Sequence, residues 1–199
     1  ALEENEKAPN EMLKMLNERL QFIQSNVLSN KFDTVFKRVY LANYEAGMKG
    51  NVAYYENLLK ATSLHGKPSP DFNFENYKGG TSKLADFKGK YIYVDVWATW
   101  CGPCKAEIPS LKKVEEAFHD SNIAFVSISV DKAKDHDKWK NFVTEKQLGG
   151  VQLFADKNWY SDFMISYGVN SIPRFILIDP SGNVVKGNAS RPSSPELKE

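Results

Sequence analysis

Apolar and polar positions recur along this chain with two different rhythms, and the change comes near residue 64. Before it the spacing is helical. Leu13, Leu16, Leu20, Ile23 and Val27 recur at alternating intervals of three and four, which places them on one helix face. Phe32, Val35, Phe36, Val39 and Tyr40 repeat the pattern after a break at Ser29-Asn30, and Gly47 and Gly50 predict where that second helix ends. Val52, Tyr55, Leu58 and Leu59 predict a third, shorter helix. Three helices of this size predict a small packed unit or a docking surface, and they carry no catalytic constellation.

His65-Gly66-Lys67-Pro68-Ser69-Pro70 reads as a turn-rich linker, after which strands alternate with helices. Tyr91–Val96 predicts a strand, and Pro103 to about Phe118 a helix. Ile123–Val130 is a nearly continuous apolar strand, followed by a helix from His136 to Lys146 and a short strand at Val151–Phe154. Trp159–Tyr167 predicts one or two helical turns. Phe175–Asp179 and Val184–Lys186 predict two strands joined by a tight turn at Pro180-Ser181-Gly182-Asn183. Connections through helices imply parallel pairing, and the final tight turn implies an antiparallel pair. The expected fold class is α/β, a mixed central sheet with helices on both faces, preceded by a small all-helical segment. The expected division is residues 1–64 and 65–199.

Composition narrows the function. With 199 residues, 42% hydrophobic and 26% charged, the chain is expected to be one large globular domain or one ordinary domain plus an appendage, and wholesale disorder is excluded. A formal net charge of +1 gives no electrostatic case for nucleic acid or an anionic membrane as partner. No apolar run reaches the roughly 18 residues a transmembrane helix needs, so none is expected. The opening ALEENEKAPNE starts at Ala1 and is polar, which is read as a processed or cut start without a signal peptide. Ser194-Pro195-Glu196 reads as the cap and first turn of a helix that is cut short.

The two cysteines, Cys101 and Cys104, are too few for a disulfide framework or a four-thiolate zinc site, and no metal site is expected. Their spacing is informative instead. They fall between a predicted strand and a predicted helix, and Pro103 suits the first turn of that helix. Cys101 at the helix start would be favoured as a thiolate by unpaired N–H groups and the helix dipole. Cys104, one turn inside, is expected to be more buried. Cys101 is therefore the candidate nucleophile and Cys104 the resolving thiol. Such a pair on its own could also be a structural disulfide or half of a metal site. Asp95 lies on the preceding apolar strand, where an acid is costly unless it is protonated or partnered. Glu107 is three residues past Cys104, on the same helix face.

The run VDVWATWCGPCKAEIPSL, from Val94 to Leu111, resembles the active-site segment of thioredoxin-fold proteins, and most of all the TlpA/ResA-like bacterial thiol-disulfide oxidoreductases. GKPSPDF before it and YGVNSIPRFILIDPSGNVV after it extend the likeness from about His65 to the end, leaving the helical segment outside it. The resemblance implies a thioredoxin-like fold and a dithiol that serves as the redox group, without metal or organic cofactor. It implies that Pro173 is cis beside the cysteines and that the backbone of Ile172 pairs with an extended substrate. Asp95 matches the buried acid that takes the proton of the resolving thiol, and Glu107 matches a glutamate that tunes the thiols. Trp100 is the aromatic expected to contact substrate beside Cys101, while Trp97 is expected to pack.

Gly102 and Pro103 match the reducing type, so the expected potential lies near about −270 mV rather than the −120 mV of a strong oxidase. Expected partners are protein disulfides or dithiols and an unidentified electron donor, in the periplasm or another extracytoplasmic space. The alternatives are an isomerase or oxidase of the same fold, and a partner-binding module with a vestigial redox site. A copper chaperone of this fold would need a three-residue gap between the cysteines, and a peroxiredoxin a lone cysteine preceded by threonine at three residues. The site has neither.

Overall fold

Two long helices come first. In the computed structural model, which describes residues 2–198 and the side chains of 9–197, α1 spans Leu2–Ser29 and α2 spans Thr34–Thr62. Asp33 starts α2 because its carboxylate accepts the otherwise unpaired amides of Val35 at 2.8 Å and Phe36 at 3.2 Å. The helices pack on each other, with Leu13, Leu16, Leu20 and Ile23 half-buried and Val27 buried, as their spacing predicts. Gln24 Nε2 donates to Glu45 Oε1 across the pair at 2.8 Å.

Two expectations for α2 fail. It does not stop at Gly47 or Gly50, and the supposed third helix is its second half. A glycine costs a helix only about 1 kcal/mol, which weakens but does not break one that has a packing partner. Phe32, Val35, Phe36, Val39 and Tyr40 are also exposed rather than buried, and Leu41, Tyr44, Met48, Val52 and Tyr55 form the covered face instead. The rings of Phe32, Phe36, Tyr40 and Tyr44 meet one another along the helix at i,i+4 spacing, with centroids 5.0, 5.7 and 6.4 Å apart. The periodicity there records a ladder along one helix, not a contact between two.

The chain divides into two compact units after Ser63. The second contains β1 (Asn73–Asn76), β2 (Thr81–Lys83), β3 (Tyr91–Trp97), α3 (Gly102–Ala117), β4 (Ile123–Ser129), α4 (His136–Lys146), β5 (Val151–Phe154), α5 (Asp162–Ser166), β6 (Arg174–Ile178) and β7 (Val184–Lys186). They build a seven-stranded sheet in the order β2-β1-β5-β4-β3-β6-β7. β3, β4 and β5 run parallel to one another and the remaining pairs are antiparallel, so the sheet is mixed as expected. β1 and β2 are additions to the sequence reading; NFEN and TSK are too short and polar to announce strands. His65–Pro70 is also no loose linker. Gly66 N donates to Val184 O and Val184 N to Lys67 O, which fastens the segment along the edge of β7.

β3 shows why the sheet is covered on both sides. Ile92, Val94 and Val96 are at most 1% exposed and join Ile128, Leu153, Trp139 of α4 and Met164 of α5 in one core. Burying each such aliphatic side chain contributes about 1.5–3 kcal/mol. Tyr93 points the other way, where it packs with Phe175 and Leu111 of α3. No helix among the described residues is long and apolar enough to cross a membrane.

Candidate active site

β3 ends at Trp97, and after three intervening residues the chain enters α3 through Cys101, its N-cap. Cys101 has extended backbone angles (φ −79°, ψ 103°), and its Sγ accepts the amide N–H of Cys104 at 3.1 Å. A sulfur thus fills the place usually taken by a serine or aspartate oxygen. Pro103 falls in the first turn, where no intrahelical donor is needed. The one-turn separation lets Cys101 and Cys104 close a disulfide across 5.3 Å between their Cα atoms. The expected difference in burial is absent: Cys101 is 4% exposed and Cys104 5%. Both belong to the buried core, so the inequality of the two sulfurs rests on the helix cap made by Cys101 and on the cavity lined by Cys104. Gly102 and Pro103, between them, are exposed, and nothing lies within 4 Å of where a Gly102 side chain would begin.

The loop before Cys101 is anchored by a residue that sequence reasoning missed. Asp131, fully buried just past β4, accepts from Thr99 N and Thr99 Oγ1 at 2.9 Å each and from Ser129 Oγ at 2.7 Å. All three bonds are made in a fully buried site. Asp131→Ala is expected to cost about 2–4 kcal/mol in chemical denaturation, because it strands the buried donors of Thr99 and Ser129. Its partner is 32 positions away, and only the placement of an aspartate at a strand end hinted at it.

Asp95 sits in the middle of β3 behind the disulfide, and Cys104 lines the same small cavity. The residue keeps some accessible surface toward that cavity, but the protein packed around its carboxyl governs its ionisation. Burial, aided by the negative charges of Glu107 and Glu115, pushes its pKa up to about 8. The phenol of Tyr93, buried next to Asp95 and Glu107, is likewise pushed up, and it donates to Ser190 O at 2.7 Å.

Glu107 is buried and occupied. Its carboxylate accepts Ser193 N at 3.0 Å and Ser193 Oγ at 2.9 Å, and Arg191 lies 3.9 Å away. It clasps the C-terminal segment, and its charge adds to the burial that raises the pKa of Asp95. Trp100 is exposed at the rim, with its ring 6.4 Å from that of Trp159, whereas Trp97 is buried against Phe142. The Ile172–Pro173 bond is cis. Because Arg174 pairs with Val96, Pro173 stands one step further along, at the end of β3 from which the Cys101 loop departs. Ile172 packs on the core that contains both cysteines. Eight of the nine sequence-derived candidates therefore belong to one end of the sheet or to the helix beginning there, and Asp95 lies further back within β3.

A cysteine pair bridging the first turn of a helix, set on a thioredoxin-like mixed sheet, defines a thiol-disulfide oxidoreductase. Residues 65–186 match the AhpC/TSA family over more than half of the chain, and the chain belongs to that family. It is similar to the thiol-disulfide oxidoreductase ResA of Bacillus subtilis, 30% identical over 64% of this chain and 68% of that protein. The ResA of Bacillus thuringiensis is 27% identical over 81% of this chain and 91% of its own length. A solution structure assigned to a thiol-disulfide oxidoreductase of Bacteroides vulgatus superposes with a TM-score of 0.59 at 48% identity, covering 67% of this chain and 86% of the other.

Proposed function

We propose that this protein reduces disulfides of exported proteins outside the cytoplasm, using electrons received from an upstream dithiol donor. The direction rests on one observation: Gly102 and Pro103 stand between the cysteines, with no histidine there to add a cation beside the thiolate of Cys101. A thiolate without that support gives a dithiol that is more readily oxidised, and so a better reductant.

In the reduced protein, the Cys101 thiolate at the start of α3 attacks a substrate disulfide and forms a mixed disulfide, releasing one substrate thiolate. Exposed Trp100, Gly102 and Pro103 provide the surface on which the substrate lies, and the backbone of Ile172, before the cis Pro173, offers it an extended partner. Cys104 then resolves the complex. Asp95 takes the Cys104 proton, and Glu107 holds the pKa of Asp95 high enough to return it. The cysteine pair is the redox group.

Equilibration with glutathione tests the direction. The expected potential is near −270 mV, about that of thioredoxin; a value above roughly −180 mV would assign the site to oxidation or isomerisation.

A further inference from the structure

Behind the disulfide, under α3, lies a cavity of about 10 Å³ whose wall includes Cys104, Asp95, Ser127, Gln152, Glu115 and Trp97. The sheet register explains this grouping. Asp95 pairs with Ser127 across β3 and β4, and Ser127 with Gln152 across β4 and β5. Residues paired across a ladder point to the same face, so three polar side chains form one row across the middle of a buried sheet. The opposite face of the same strands is aliphatic.

Two unsatisfied atoms point to what the row does. Among the described residues three buried side-chain polar atoms have no partner, and two of them belong to this wall: the indole N–H of Trp97 and Oε1 of Gln152. One is a donor and the other an acceptor. The cavity has about the volume of one water molecule, which could accept from the indole and donate to the amide oxygen. The row ends at Glu115. Its carboxylate lies so close over Gly149 and Gly150 that a Cβ on either would crowd it, while Gln152 Nε2 holds the same loop through Gly149 O at 2.7 Å. Glu115 is half-buried, and its neighbour Lys112 is exposed and donates to Lys146 O.

We propose that Ser127, Gln152 and Glu115, with one water between them, form the outlet by which the proton taken from Cys104 leaves Asp95. The inference rests on the proposed reductase cycle. In its second half Cys104 gives its proton to the Asp95 carboxylate, and its thiolate attacks Sγ of Cys101. The Cys101–Cys104 bond forms, the bond from Cys101 to the substrate breaks, and the electron pair leaves on the substrate thiolate, which is protonated by solvent. The enzyme is oxidised and the substrate reduced by two electrons. Asp95 is left protonated in a buried place, with Tyr93, Glu107, Glu115 and Lys112 the titratable groups around it and its neighbour. Burial, partly offset by Lys112, raises the pKa of Glu115.

The test uses the reduced full chain, a disulfide-linked model peptide, and pH 6 to 9 in H₂O and D₂O. Glu115→Gln removes the acceptor. Gly149→Ala displaces the same carboxylate, where only the free end of a flexible side chain has to shift. Each is expected to slow multiple-turnover reduction of the peptide, with dithiothreitol regenerating the dithiol, by about 3–10-fold, to change its pH profile and to enlarge the solvent isotope effect. Alkylation of Cys101 by iodoacetamide should proceed at the wild-type rate. Wild-type turnover rates and pH profiles in both variants would overturn the outlet alone. A wild-type chain that leaves the peptide oxidised would overturn the reductase cycle and the outlet together.

Discussion

Replacing Cys104 by alanine is expected to convert the protein from a catalyst into a trap. Cys101 keeps its place as the cap of α3, with its sulfur still facing the amide of residue 104, and it can attack a disulfide as before. The second step has lost its nucleophile. Multiple-turnover reduction should fall by at least about 100-fold, since the two sulfurs act as a unit. Incubation with an extract of cell-envelope proteins should yield mixed disulfides that dissolve on adding dithiothreitol and are absent in Cys101→Ser. Equal recovery from both variants would show that the cysteines do not divide the work in this way.

The second large effect belongs to Asp95. Its carboxyl has a pKa of about 8 in the folded protein against an ordinary value of 3.8. Below pH 3.8 both folded and unfolded chains carry the proton and burial of the group has no ionisation cost. Between there and about pH 8 the unfolded chain releases the proton while the folded one retains it, so stability falls with rising pH by at most about 1.4 kcal/mol per unit. Above pH 8 the loss is complete. Asp95→Asn keeps the shape of the neutral acid and removes the titration. It should therefore raise Tm, by an amount that grows from pH 4 to pH 8 and then levels off. The same variant should slow closure of the Cys101–Cys104 disulfide by about 100-fold, toward the low end of what a positioned base contributes. Parallel stability profiles for the two proteins would contradict a buried, neutral Asp95.

Gain in stability together with loss of rate is the mark of a group retained for chemistry. Asp131 is buried too, but it answers three donors and holds the loop, so its removal costs stability instead. The two aspartates, one within β3 and the other just past β4, differ above all in the hydrogen-bond donors that surround them.

Much of this was legible in the chain itself. WCGPC between a strand and a helix located the redox pair, and the alternation of apolar runs placed β3, α3, β4, α4, β5, β6 and β7 within a residue or two. What escaped was non-local or too short. β1 and β2 are strands because they pair with each other and with β5, not because NFEN or TSK favour the conformation. The hold of Asp131 on Thr99 and of Glu107 on Ser193 spans 32 and 86 positions, and no spacing rule reaches so far. Gln152 and Glu115 look like ordinary polar residues until the fold sets them around the cavity that Asp95 also lines. In α2 a helical period was read correctly and its burial wrongly, since aromatic residues four apart can satisfy one another along a single helix.

The measurement closest to the central claim is reduction of insulin by dithiothreitol, followed by turbidity, with wild type and Cys101→Ser side by side. Insulin chains should precipitate well ahead of the dithiothreitol control with the wild-type protein, and at the control rate with the variant. A wild-type curve that coincides with the control, unchanged by Cys101→Ser, would contradict the assignment of Cys101 and Cys104 as a working reductase site.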